Sequence, residues 1–131
     1  MTLAVDTNVL VRAIVDDETP QSEQARLCLL QNVHYVADTV LLETEWLLRS
    51  VFQLGRDVIN ALLTGLLASS NARFADREIV ARAILAHRLG LDFADAMHLF
   101  SARGCTDFIT YDARLIRKAP TVSSDISVRK P

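Results

Sequence analysis

Lysine is nearly missing from this chain, glycine and cysteine are sparse, and no stretch stays apolar for long. Of 14 basic residues only Lys118 and Lys130 are lysine; the rest are arginine. Arginine's planar fork suits bidentate contact with phosphate or carboxylate, although a compositional habit produces the same bias. The four glycines, Gly55, Gly65, Gly90 and Gly104, are too scattered to build a glycine-rich phosphate loop. The two cysteines, Cys28 and Cys105, lie far apart with no metal-ligand spacing. Both read as ordinary buried thiols, consistent with a reducing cytoplasm. The N-terminus has no charged-then-apolar leader, since Asp6 interrupts its hydrophobic run early. No apolar stretch approaches membrane-spanning length. These absences predict a soluble, cytoplasmic protein with no membrane partner. Serine, cysteine and histidine triads have no obvious members either.

What is there fits one domain over residues 1–131, half of it hydrophobic. The formal net charge of −2 provides no basic field that would announce nucleic acid. It does not exclude one, because a site that holds divalent cations is itself acidic. Apolar runs predict strands at residues 3–5, 34–37, 71–74 and 107–110. Helices are predicted from Thr7 or Asn8 through Ile14, and over residues 22–30, with Ala25, Leu29 and Leu30 inward. Further helices run from Asp38 or Thr39 to about Leu54, closed by Gly55, and over residues 56–68. The last two run from 78 to about 88, closed by Gly90, and from Asp92 to Arg103, closed by Gly104. Asp112 begins a loop, and a last short strand is expected near Val122. Alternation of this kind favours an α/β domain with a mostly parallel sheet. Ligands then bind beyond the carboxyl ends of the strands.

Acidic residues just after strands therefore merit inspection. Asp6 directly follows the first strand, and Asp112 follows the strand through Ile109. Each is also a common turn former or helix cap. Glu43 shares a helix face with Val40, Leu47, Val51 and Leu54, so it is expected at or inside the lip of the core. Glu45, four residues before Arg49, is expected to make an ordinary surface pair. A buried carboxylate needs a partner or a metal, which leaves two readings of Glu43 open: metal ligand, or ion pair with Arg12 or Arg103.

The segment LDFADAMH supplies a fourth element. Asp92, Asp95 and either His98 or Leu99 share one helix face, with both aspartates where the helix dipole favours negative charge. Capping explains Asp92 well. It explains Asp95 less well, flanked as it is by Ala94 and Ala96. His98 reads as a core or supporting histidine rather than a ligand. Asp6, Glu43, Asp95 and Asp112 thus come from four segments that could converge. Carboxylate oxygens without thiolate or clustered imidazole select Mg²⁺ or Mn²⁺ over zinc. One or two such ions can activate water and steady a leaving oxygen in a phosphodiester displacement.

The motifs VDTNVLVR, LLETEWLLRS, LDFADAMHLFSAR and FITYDARL, in that order over nearly the whole chain, resemble the PIN-domain family. Within it they resemble the VapC-type ribonuclease toxins of toxin–antitoxin pairs. The resemblance implies a three-layer α/β/α fold with a central, mostly parallel sheet, and metal-dependent cleavage of RNA. It also implies metal-site acids at Asp6, Glu43, Asp95 and Asp112, with Asp92 as a fifth contact. Asn8 matches a polar position that can orient Asp6, and Thr110 a hydroxyl position before the last acid. Leu115 departs from the family, where many relatives carry phenylalanine. Homodimers and inhibition by a small antitoxin protein are implied as well. Arg12 and Arg114 are candidates for flanking phosphates.

Two other classes stay open. One is a magnesium-dependent phosphoesterase acting on small molecules, although its usual second acid, two residues after the first, is here Asn8. The other is a binding module that kept the fold and lost the chemistry, against which stands the presence of all four acids.

Overall fold

Short parallel strands alternate with helices, as the pattern of apolar runs predicts. The computed structural model describes all residues 1–131 and divides them into two compact units, Met1–Arg77 and Glu78–Pro131. The elements of the first are β1 (Thr2–Ala4), α1 (Thr7–Val15), α2 (Pro20–Gln31), β2 (Val33–Val36), α3 (Asp38–Ser50), α4 (Arg56–Ala68) and β3 (Ala72–Phe74). Its sheet has the order β1-β2-β3, parallel throughout, with Leu3 opposite His34 and Tyr35 opposite Arg73. Parallel pairing requires a crossover for each strand, and α1 with α2, then α3 with α4, make those crossovers. Helix α1 packs on α2 and α3, and α3 on α4. Leu10, Val36, Leu41, Leu48, Ile59 and Leu63 are all but completely buried. Each such aliphatic side chain contributes about 1.5–3 kcal/mol.

The turn between α1 and α2 is fastened by side chains. Asp17 Oδ1 accepts hydrogen bonds from Ser22 Oγ and Thr19 Oγ1, both at 2.6 Å. These bonds, Ser22 first, lower the Asp17 carboxyl to about 2. Thr19 also caps α2, whose first residue is Pro20.

The second unit holds most of α5 (Arg77–Arg88), then α6 (Phe93–Ser101), β4 (Asp107–Ile109), α7 (Ala113–Val122) and β5 (Ser127–Arg129). Strands β4 and β5 pair in parallel, Phe108 opposite Val128. Val80, Ala83, Phe93, Ala96, Met97, Leu99, Leu115 and Ala119 are buried. Gly90 has φ +106°, a conformation open to glycine and rarely to others. It follows α5 as the spacing predicts.

Several expectations are corrected. Helix α3 stops at Ser50, not near Leu54, and Gly55 precedes α4 with φ −75° rather than closing α3. The chain leaves helical geometry through Gln53, at φ +54°. Helix α6 ends at Ser101, and Ala102 caps it. The segment after Asp112 is not a loop but α7. Its Pro120 sits in the last turn, where a missing N–H removes only one helical bond. The last strand lies at Ser127–Arg129, beyond Val122. Leu29 is half-buried and Leu30 exposed, because α2 turns Ser22 and Ala25 inward. Cys28 is half-buried and Cys105 exposed, so neither is a buried thiol.

Candidate active site

In the first unit, Asp6 leaves β1 and starts α1. The ladder continues to Val5, whose N–H donates to the Tyr35 carbonyl at 3.2 Å. Asp6 then takes extended geometry as the N-cap, and its Oδ1 accepts from Thr7 N at 2.8 Å. One oxygen thus faces the helix start. The other has no hydrogen-bond partner in the protein. Asn8 makes no bond to Asp6. It lines a groove of about 460 Å³ with Val9, Arg12, Gln21, Gln24 and Cys28.

Helix α3 reverses the expected roles of its two glutamates. The buried stripe is Leu41, Thr44, Glu45 and Leu48. Glu45 is 3% exposed and accepts from Arg49 Nε at 2.9 Å. The pair with Arg49 is therefore present, but its carboxylate end is in the core rather than on the surface. Glu43 is exposed and makes no ion pair or hydrogen bond, with Arg12 or any other residue. The physical reason is helix length. Val51 and Leu54, which defined the Glu43 stripe, lie past the end of α3, and Val51 is 60% exposed. An exposed, unpaired carboxylate remains available to a ligand; a buried, paired one does not.

In the second unit, Asp92 and Asp112 cap neighbouring helices in the chain, and Asp95 lies in the first turn behind Asp92. Asp92 is the N-cap of α6, and its Oδ2 accepts from Asp95 N at 3.1 Å. Asp112 is the N-cap of α7; its Oδ1 accepts from Arg114 N at 2.9 Å and Leu115 N at 3.1 Å. Thr110 Oγ1 accepts from Asp112 N at 3.0 Å, so the hydroxyl at that position fixes the backbone of the acid. Asp95 is half-buried in the first turn of α6. Partial burial pushes its carboxyl up, and the negative charges of Asp92 and Asp112 push it further. Exposed His98 works in the opposite direction without cancelling the rise.

In each unit the predicted acids offer carboxylate oxygens, the donors a hard cation takes, and none of the five is engaged by an arginine, whereas Glu23, Glu45, Glu78, Asp107 and Asp125 are. No three His, Cys, Asp or Glu side chains stand close enough to enclose an ion as they are.

The model of the PIN domain matches residues 3–120, running through both units. The chain belongs to the PIN domain family. PIN domains have a nuclease-type fold and are commonly hydrolases acting on nucleic acids. The α/β architecture with parallel strands agrees with that membership. No curated protein matches the sequence. No helix of this PIN domain is long and apolar enough to cross a membrane. One surface side chain that sequence patterning passed over is Tyr111, 78% exposed between Thr110 and Asp112. Its only signal was its place inside FITYDARL.

Proposed function

We propose that this PIN domain is a metal-dependent endoribonuclease of the VapC type, the toxin of a toxin–antitoxin pair. Asp6, Glu43, Asp95 and Asp112 are its metal-site acids, Asp92 is an additional contact, and Mg²⁺ or Mn²⁺, one or two ions, is the cofactor. The observation that supports the reading is that Asp6 and Asp112 each cap a helix start through one oxygen, and neither they nor half-buried Asp95 is paired with an arginine. Carboxylates that no arginine neutralises suit a divalent cation. When bound, the ion supplies charge neutralisation at the scissile phosphate and lowers the pKa of a water. The chain's own residues do the rest. Asp6 and Asp112 are held at helix starts by one oxygen each. Thr110 fixes the backbone at Asp112. Asn8 is a secondary contact on α1, and Arg12 binds phosphate. Single-stranded or looped RNA is the substrate, because an A-form duplex offers side chains little to read.

A homodimer and a small antitoxin protein are the partners of this reading, and exposed Leu30, Trp46, Val51 and Phe52 are apolar side chains free to meet one. The cytoplasm is the compartment consistent with this role.

The deciding experiment incubates the protein with RNA, and separately with an aryl phosphate, with and without Mg²⁺ or Mn²⁺. RNA is expected to be cut only with metal and the aryl phosphate left intact. Asp6→Asn and Asp95→Asn are each expected to abolish cleavage while preserving the fold. Full residual activity in either variant overturns the site assignment. Sedimentation of the wild type tests the dimer.

A further inference from the structure

Tyr111 is the most exposed aromatic side chain in the protein, and its backbone is held on both sides. On one side, Thr110 N donates to the Arg129 carbonyl at 3.0 Å, prolonging the β4–β5 ladder. On the other, Asp112 N donates to Thr110 Oγ1, also at 3.0 Å, and the Asp112 side chain caps α7. The ring meets no other aromatic ring, and its hydroxyl makes no hydrogen bond. A large amphipathic side chain is thus displayed on a fixed backbone with nothing in the chain to stack on.

The arginines nearby divide into two groups. In this unit Arg82, Arg103 and Arg129 pair with Asp125, Glu78 and Asp107, while Arg88, at the end of α5, makes no ion pair. Arg114 and Arg117, on α7 directly after Tyr111, make no ion pair and no side-chain hydrogen bond. Both are exposed, and at i and i+3 they lie on one helix face. Leu115 and Ala119 bury the opposite face and fix the rotation of α7. Unpaired guanidinium groups beside an unstacked aromatic ring are the two components of single-strand recognition: one binds phosphate, the other a base.

We infer that Tyr111, Arg114 and Arg117 form a single-stranded RNA platform beside Asp112, with one base stacked on Tyr111 and adjacent phosphates held by the two arginines. The inference rests on the ribonuclease reading for the identity of the nucleic acid. It adds a specificity element: the nucleotide next to the cut is selected for stacking rather than for base pairing.

Binding is measured by fluorescence anisotropy of a labelled single-stranded RNA in EDTA, so that no cleavage occurs. Tyr111→Ala is expected to weaken binding roughly tenfold, the scale of one lost base stack, and Tyr111→Phe to stay within about twofold of wild type. The double variant R114A/R117A is expected to weaken binding and reduce the salt slope by about 1.4, the value for two lost phosphate contacts on a single strand. Equal binding by wild type and Tyr111→Ala overturns the platform. So does a Tyr111→Ala variant that changes only self-association, which would make the surface a protein contact. Metal-dependent cleavage is scored separately with Asp95→Asn. If the wild type cleaves RNA but Tyr111→Ala binds normally, the platform fails alone. If Tyr111→Ala loses binding but the wild type never cleaves, the nuclease reading fails alone.

Discussion

Asp112, the cap of α7, raises the proton affinity of Asp95, in the first turn of α6, so two helices of different origin in the chain share one electrostatic site. The contribution of Asp112 follows burial and the charge of Asp92 in size. Its sign determines what substitution, acid and metal should do.

Asp95 binds its proton more tightly in the folded chain than in the unfolded one. Ionised, it therefore disfavours the fold. The Asp95 contribution to stability is greatest below the ordinary carboxylate range and is lost as pH rises through the raised Asp95 value. Asp95→Asn is expected to raise the melting temperature at neutral pH. The gain should shrink on acidification toward pH 4, about the model-peptide carboxylate value. Added Mg²⁺ or Mn²⁺ should raise the wild-type melting temperature and leave Asp95→Asn nearly unmoved. Calorimetry at three pH values, with and without metal, checks all three statements.

The two glutamates of α3 should separate stability from activity. Glu43→Gln is expected to leave the denaturation midpoint within about 0.5 kcal/mol of wild type, as for an exposed side chain, while cleavage falls to background. Arg49→Leu should destabilise by about 1–3 kcal/mol, because it strips a buried carboxylate of its partner. Glu45→Leu should cost less, since it removes the buried charge itself. Urea titrations paired with RNA cleavage assays read both properties.

In the proposed site Thr110 is a positioning residue that acts through Asp112. Thr110→Val removes the 3.0 Å bond to the Asp112 backbone. It is expected to lower kcat about tenfold with little change in KM, a loss close to one hydrogen bond's worth of orientation. Thr110→Ser should restore most of the rate. Equal kcat for wild type and valine variant would remove Thr110 from the site.

The α1–α2 turn gives an acid-sensitive stability term of opposite sign to that of Asp95. The Asp17 carboxyl sits at about 2, lowered first by Ser22. Its contribution is present above the ordinary value of 3.8 and is lost as pH falls toward 2. Ser22→Ala is expected to lower the melting temperature at pH 7, with the difference from wild type narrowing in acid. Melting curves of the two proteins between pH 2 and pH 7 test it (an exploratory range set by the shift from about 3.8 to about 2).

Local chemistry sufficed for much of the molecule. Helix α4 falls at Arg56–Ala68, as read from its apolar spacing, and Asp92 caps α6 because a short acid before a helix finds the free N–H groups there. The parallel α/β class followed from the order of strands and helices alone. The acids at Asp6 and Asp112 were marked by their places after strands. Helix α7 was concealed by Pro120, which reads as a breaker in sequence yet costs little in a last turn. The choice between Glu43 and Glu45 could not be made locally either. Helix α3 carries leucines at 41, 42, 47 and 48, which offers two apolar stripes. Which one is buried depends on where α1 and α4 pack against it and on where the helix ends. The same holds for Asp95. Its position in the first turn was written in the segment LDFADAMH, but its neighbour Asp112 is supplied by the fold, because electrostatic coupling depends on distance in space and sequence spacing records only distance along the chain.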